Sequence, residues 1–182
     1  MPAQRPPRRP PKPLDSARLE ELALAYVARF ATSAAKLEGY LGRKLRERGW
    51  AGEGQPALAA LVTRFVESGY VDDTAFARAR TGSLLRRGYG KRRIAQALGA
   101  AGIAEEVREE VRPGEAEQRR AALTLARKRR FGPFGAATDR AGREKQIAAL
   151  LRAGHPLDSA RGLVDAPSEQ AALAWAAGDE DE

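Results

Sequence analysis

GYVDDTAFARARTGSLLRRGYGKRRIAQALGAAGI, residues Gly69 to Ile103, carries the densest structural punctuation in the chain, and its reading decides the fold. Gly69 ends one helix and Asp72 opens the next. As N-cap, the Asp72 carboxylate accepts free N–H groups of the first turn, with Val71 and Phe76 at the two positions of a hydrophobic staple. Asp73 stands in that first turn, where the helix dipole favours negative charge. The spacing predicts a helix to about Arg87, stopped by Gly88. A short basic helix follows from about Lys91 to Ala101, with Ile94, Leu98 and Ala101 along one side and Gly102 as its stop. Neither helix is long enough to be stable alone, so the pair needs something to pack against.

Outward from this stretch the helical period continues. Asp15 or Ser16 caps a helix with Leu19, Leu22, Ala23, Tyr26, Val27 and Phe30 on one face. Thr32 and Ser33 open a second, with Leu37, Tyr40, Leu41 and Leu45 inward and Gly49 as its end. Pro56 suits the first position of a third, with Leu58, Leu61, Val62, Phe65 and Val66 inward. After Gly102, a short helix over about Ala104 to Arg112 carries Val107 and Val111, and Pro113-Gly114 closes it. Another helix runs from near Glu115 into Arg130. Pro133 forbids its continuation through FGPFGAATD. The next carries Ile147, Leu150 and Leu151, and Leu157 to Arg161 repeats Leu14 to Arg18 letter for letter, predicting another cap. A last short helix is expected over Ala171 to Ala177, around Trp175.

This pattern recurs three times. Corners fall at Arg29-Phe30, Arg87-Gly88-Tyr89 and Arg130-Phe131. Leu-x-x-x-Gly ends fall at Leu45/Gly49, Leu98/Gly102 and Leu150/Gly154, spaced by 53 and then 52 residues. Regular recurrence of one supersecondary unit predicts an all-α fold, an elongated tandem array of three three-helix repeats. The expected divisions are a disordered basic proline-rich leader over 1–13, repeats over 14–69, 70–113 and 114–165, and an acidic tail over 166–182.

Composition bounds the function. The chain has 182 residues, 43% hydrophobic and only 6% aromatic, which fits a helical protein with a thin core. It has no cysteine, so disulfides, thiolate metal sites and cysteine nucleophiles are excluded, and a reducing cytoplasm is the expected setting. No apolar run reaches the roughly 20 residues that span a bilayer. The net charge is +8. After Arg161 come six acids and no base. The remaining 18 acids face 32 bases, so residues 1–164 carry +14. Such a body attracts polyanions, of which nucleic acid is the usual one. Arginine supplies 26 of the 32 bases, a bias suited to phosphate and carboxylate, although a GC-rich genome would write the same excess.

No catalytic constellation emerges, and no cofactor or metal is expected. His155, the single histidine, precedes Pro156 and reads as a turn residue. Gly90-Lys91 is not a phosphate loop: Leu85 stands where the partner glycine belongs, and Arg92 where Ser or Thr would hold magnesium. Capping accounts for Asp72 and Asp73. Three basic clusters remain as binding candidates: Arg43, Lys44 and Arg48; Arg86, Arg87, Lys91, Arg92 and Arg93, with Tyr89 among them; and Arg127, Lys128, Arg129 and Arg130. Tyr89 could stack a base, but the favoured reading makes it a plug at its corner, as Phe30 and Phe131 would be at theirs. Asp72, Gly88 and Gly102 are read as structural caps.

Asp72, Asp73, Phe76 and Ala77, followed by Arg87, Gly88, Tyr89 and Gly90 and then Arg93, Ile94, Leu98, Gly102 and Ile103, resemble the central segment of the RecX family. The family's usual acid before the leucine and base before the glycine are replaced here by Ala97 and Ala101, and Gly82 interrupts the first helix. The resemblance extends over about residues 14–165 and implies three tandem three-helix units. It further implies a non-enzymatic, monomeric regulator that lies along the groove of a RecA filament on single-stranded DNA, suppresses ATP hydrolysis and strand exchange, and promotes filament shortening. Double-stranded DNA is a further expected partner, and a plain DNA-binding protein acting by covering DNA is the rival reading. If the acidic tail masks the basic body, deletion after Asp165 should tighten DNA binding at low salt.

Overall fold

The computed structural model describes residues 12–178. Over that range the chain is all-helical, with ten α-helices and one isolated bridge in place of any strand. It divides into two compact units between Asp72 and Asp73. Most of the proline-rich leader, residues 1–11, and the terminal acids Asp179 to Glu182 lie outside the described residues.

The first unit holds α1 (Ser16–Val27), α2 (Ala34–Arg48) and α3 (Leu58–Glu67). Asp15 caps α1 by accepting the Arg18 N–H at 2.9 Å, and Ser33 caps α2 by accepting that of Lys36 at 3.3 Å. Leu14, Leu19, Ala23, Leu37, Leu41, Leu61, Val62, Phe65 and Val71 form its core. Three expectations fail here. Pro56 lies two residues ahead of α3 rather than at its first position. Val66 is turned outward, and Phe30 is 55% exposed, its ring tilted against that of Tyr26 at 5.2 Å instead of filling its corner. Phe30 lies three residues beyond the end of α1 and outside the core cluster, whereas Tyr26, stacked on Tyr40 at 4.2 Å, packs against that cluster.

The second unit holds α4 (Asp73–Arg86), α5 (Lys91–Gly99), α6 (Glu105–Glu110), α7 (Glu115–Arg129), a 3-10 turn (Gly132–Phe134), α8 (Arg140–Arg152), α9 (Leu157–Val164) and α10 (Glu169–Ala177). The α4 helix begins directly after Asp72. Gly88 and Gly102 have φ of 84° and 71°, the left-handed conformation that a helix stop requires of them. The residue after each returns to the preceding turn: Tyr89 N–H to the Leu84 carbonyl at 3.0 Å, and Ile103 N–H to that of Leu98 at 3.1 Å. The same 6→1 bond joins His155 to Leu150 at 3.1 Å, so the recurring Leu-Gly pair is one backbone device used in both later repeats. Those repeats share packing. Tyr89 lies against the cluster around Ile94 and Leu98 and also against the one around Ile147 and Leu150, and Phe131 joins the latter to the cluster around Ala122 and Leu163.

The duplicated pentapeptide adopts two structures. In the first copy Leu14 is fully buried and held extended by Leu14 N–H to the Gly49 carbonyl (2.9 Å) and Ala51 N–H to its own carbonyl (2.8 Å), so α1 starts at Ser16 with Asp15 as cap. In the second, Leu157 is itself the first residue of α9, Pro156 holds the cap position, and Asp158 falls inside the first turn without capping. Both copies follow a proline, so tertiary pairing of Leu14, not local sequence, makes the difference.

Candidate functional site

The turn Arg87-Gly88-Tyr89-Gly90 is built into the third repeat. The last carbonyls of α8 have no partners within their helix, and the start of α5 supplies donors. Gly90 N–H donates to the Ala153 carbonyl at 2.9 Å, Arg92 N–H to that of Gly154 at 3.3 Å, and the Arg92 guanidinium to that of Leu151 at 2.6 Å. This also sets the positive start of one helix on the negative end of another. His155, 3% exposed, donates from Nε2 to the Gly88 carbonyl at 2.9 Å, while its Nδ1 has no hydrogen-bond partner among the described residues. Burial pushes its pKa below the ordinary value, and the bond to the carbonyl opposes that shift only in part.

Beside this junction lies a half-enclosed cleft of about 410 Å³. Five cations line it: Arg87 and Arg93 from the second repeat, and Lys128, Arg129 and Arg152 from the third. No carboxylate lines it, and among the described residues none of the five forms an ion pair. Tyr89 and Phe131 supply its aromatic wall. The Arg87 guanidinium lies 5.3 Å from the centre of the Tyr89 ring, so that ring both plugs its corner and positions a cation. Arg129 and Arg152 end α7 and α8, where helix carbonyls favour positive charge.

The structure thus brings together parts of two basic clusters and leaves the rest elsewhere. Arg86 is exposed at the end of α4 without reaching the cleft. Lys91 and Arg92 border a separate groove floored by Ile94 and Leu98 between α5 and α6. Arg127 lies over Phe134, 5.9 Å from its centre, and Arg130 is the left-handed cap of α7, with φ of 55°. The first cluster belongs to the first unit and is engaged internally. Lys44 binds Glu47 at 2.6 Å, Arg43 approaches the same carboxylate at 3.8 Å, and the Arg48 guanidinium donates to the Lys12 carbonyl at 3.1 Å. The hydrogen bond from Lys44 is the main reason the Glu47 pKa lies below its ordinary value. Arg152 was missed by sequence reasoning. It stands singly within Leu-Leu-Arg-Ala-Gly, and a search for runs of bases does not select it. Among the described residues, no three His, Asp or Glu side chains are grouped to hold a metal ion.

A chain of short helices in recurring three-helix units belongs to the class of all-α repeat proteins. Comparison with known proteins narrows the class. Residues 72–111 match the model of the RecX second three-helix domain. The chain is 34% identical over 172 residues to the regulatory protein RecX of Myxococcus xanthus (strain DK1622), covering 89% of this chain and 91% of that protein. It is 32% identical over 151 residues to that of Halorhodospira halophila (strain DSM 244 / SL1), covering 83% and 89%. The chain belongs to the RecX family and is a regulator of the RecX type. Its fold is shared with the crystal structure of RecX from Lactobacillus salivarius, at a TM-score of 0.62 and 18% identity, over 79% of this chain and 90% of that one.

Proposed function

We propose that this chain binds the filament formed by a RecA recombinase on single-stranded DNA and restrains its ATP hydrolysis, strand exchange and growth. The observation that carries the reading is the cleft of five unpaired cations in the second unit. Arginine forks take phosphate and carboxylate alike, and a nucleoprotein filament presents both. The chain acts on its partner's hydrolysis as a monomer and needs no cofactor of its own. The cytoplasm is the setting in which such a partner is met.

The test is ATP hydrolysis by a RecA filament on single-stranded DNA, titrated with this protein and repeated with a several-fold excess of competitor DNA. Inhibition well below one molecule per recombinase subunit, surviving competitor, is the expected result. Inhibition only at coating concentrations, erased by competitor, would replace this reading with that of a general DNA-binding protein.

A further inference from the structure

We propose that the cleft between the second and third repeats is a binding site for a compact polyphosphate, the chain of three or more phosphates found free or on a nucleotide. The inference rests on the choice of this cleft as the functional site but not on the identity of the protein partner.

Three features carry it. First, five cations from three helices and one turn converge on one concave space with no carboxylate among them, so a ligand of high negative charge density gains most from entering it. Second, about 410 Å³ and half enclosure leave room for a small ligand that carries several phosphates. Third, the backbone at the cleft's edge is fixed. Gly90 and Arg92 are bonded to the end of α8, His155 is bonded to Gly88, and Arg87 is held against Tyr89, while the exposed side chains of Arg93, Lys128, Arg129 and Arg152 are left for the ligand to order. With no cluster of metal ligands among the described residues, the guanidinium groups take the place that magnesium holds in most polyphosphate sites. Magnesium in excess should therefore compete for the phosphates and weaken binding.

The experiment is calorimetric titration of the full-length protein with sodium tripolyphosphate, ATP and a short single-stranded oligonucleotide, at about 0.15 M salt, with EDTA and then with excess magnesium. Arg93→Ala and Arg152→Ala are run beside it, with Arg78→Ala as a control outside the cleft. Thermal unfolding of each variant confirms that it is folded. Tripolyphosphate binding at one site, weakened about tenfold by either cleft variant and by magnesium but not by Arg78→Ala, supports the proposal. ATP binding tighter than tripolyphosphate would assign the site to a nucleotide, and equal affinities to the phosphate chain alone. Absence of binding at millimolar ligand, binding indifferent to the cleft variants, or binding of the oligonucleotide alone would each overturn it. Because no recombinase is present, such a failure leaves the filament reading standing.

Discussion

Gly90 and Gly154 meet backbone to backbone: a Cβ on Gly90 would lie 2.5 Å from both the carbonyl carbon and the carbonyl oxygen of Gly154. The obstruction is main chain, which cannot rotate aside as a side chain can. Gly90→Ala should therefore destabilise the second unit by about 1–3 kcal/mol, in the range of other overpacking changes. Gly39, inside α2 with nothing within 4 Å of its added Cβ, supplies the contrast. Gly39→Ala should stabilise the first unit by about 0.5–1 kcal/mol. Urea unfolding followed by circular dichroism measures both, and an unchanged midpoint for Gly90→Ala would show that the two turns are not in contact.

Acidification should weaken the same junction through His155. Its folded pKa is depressed, so the unfolded chain takes up a proton, near pH 6.5, that the buried ring refuses. Stability is then full above that pH, falls as pH drops below it, and levels off once pH passes the folded pKa. Glu47 and Asp165 are both held below the ordinary carboxylate range, by Lys44 and Arg143 respectively, so their losses come at lower pH. His155→Gln keeps an N–H for the Gly88 carbonyl and removes the titration. Its unfolding midpoint should change little between pH 7.5 and 5.5, where that of the wild-type protein falls.

Helix stops were legible because a left-handed glycine is a local requirement: Gly69, Gly88, Gly102 and Gly154 all adopt it. The apolar faces were legible for the same reason of period, and Leu98, Ile94 and Leu150 are buried as the pattern demanded. What the sequence could not supply were facts decided across the fold. Leu14 is extended because Gly49 and Ala51 pair with it, so identical pentapeptides begin their helices at different residues. Arg152 joins Arg93 only because α8 ends against α5. His155 reads as a turn residue from Pro156, but its bond to Gly88, 67 positions away in sequence, has no local signature.

The cleft cations should differ from the first basic cluster in their salt dependence. Arg93→Ala, Arg129→Ala and Arg152→Ala each remove an unpaired charge. Each should lower the slope of log affinity against log salt by about 0.7 if it meets a single-strand phosphate. Arg43 and Lys44 are already engaged by Glu47, so their replacement should move that slope less. Fluorescence anisotropy of a labelled oligonucleotide at several salt concentrations makes the comparison. Equal slopes for both sets would remove the cleft from the binding surface.

Truncation at Asp165 and truncation at Gly178 should have opposite meanings. Residues 166–182 read as a tail by charge, yet α10 packs on α7 and α9, with Ala172 buried beside Ala122, Ala126 and Leu163, and Ala176 buried as well. The Arg119 guanidinium also lies over Trp175, 5.9 Å from the ring centre. Ending the chain at Asp165 uncovers Leu163, a side chain worth about 1.5–3 kcal/mol when fully buried, and should lower the thermal midpoint of the second unit. Ending it at Gly178 removes only four acids and leaves that packing intact. The shorter deletion is thus the clean test of masking: tighter oligonucleotide binding at low salt, with an unchanged thermal midpoint, is expected if the acids shield the cationic cleft. Equal affinities of the two chains at low salt would dismiss masking. A fully stable chain ending at Asp165 would show instead that α10 contributes nothing to the core it covers.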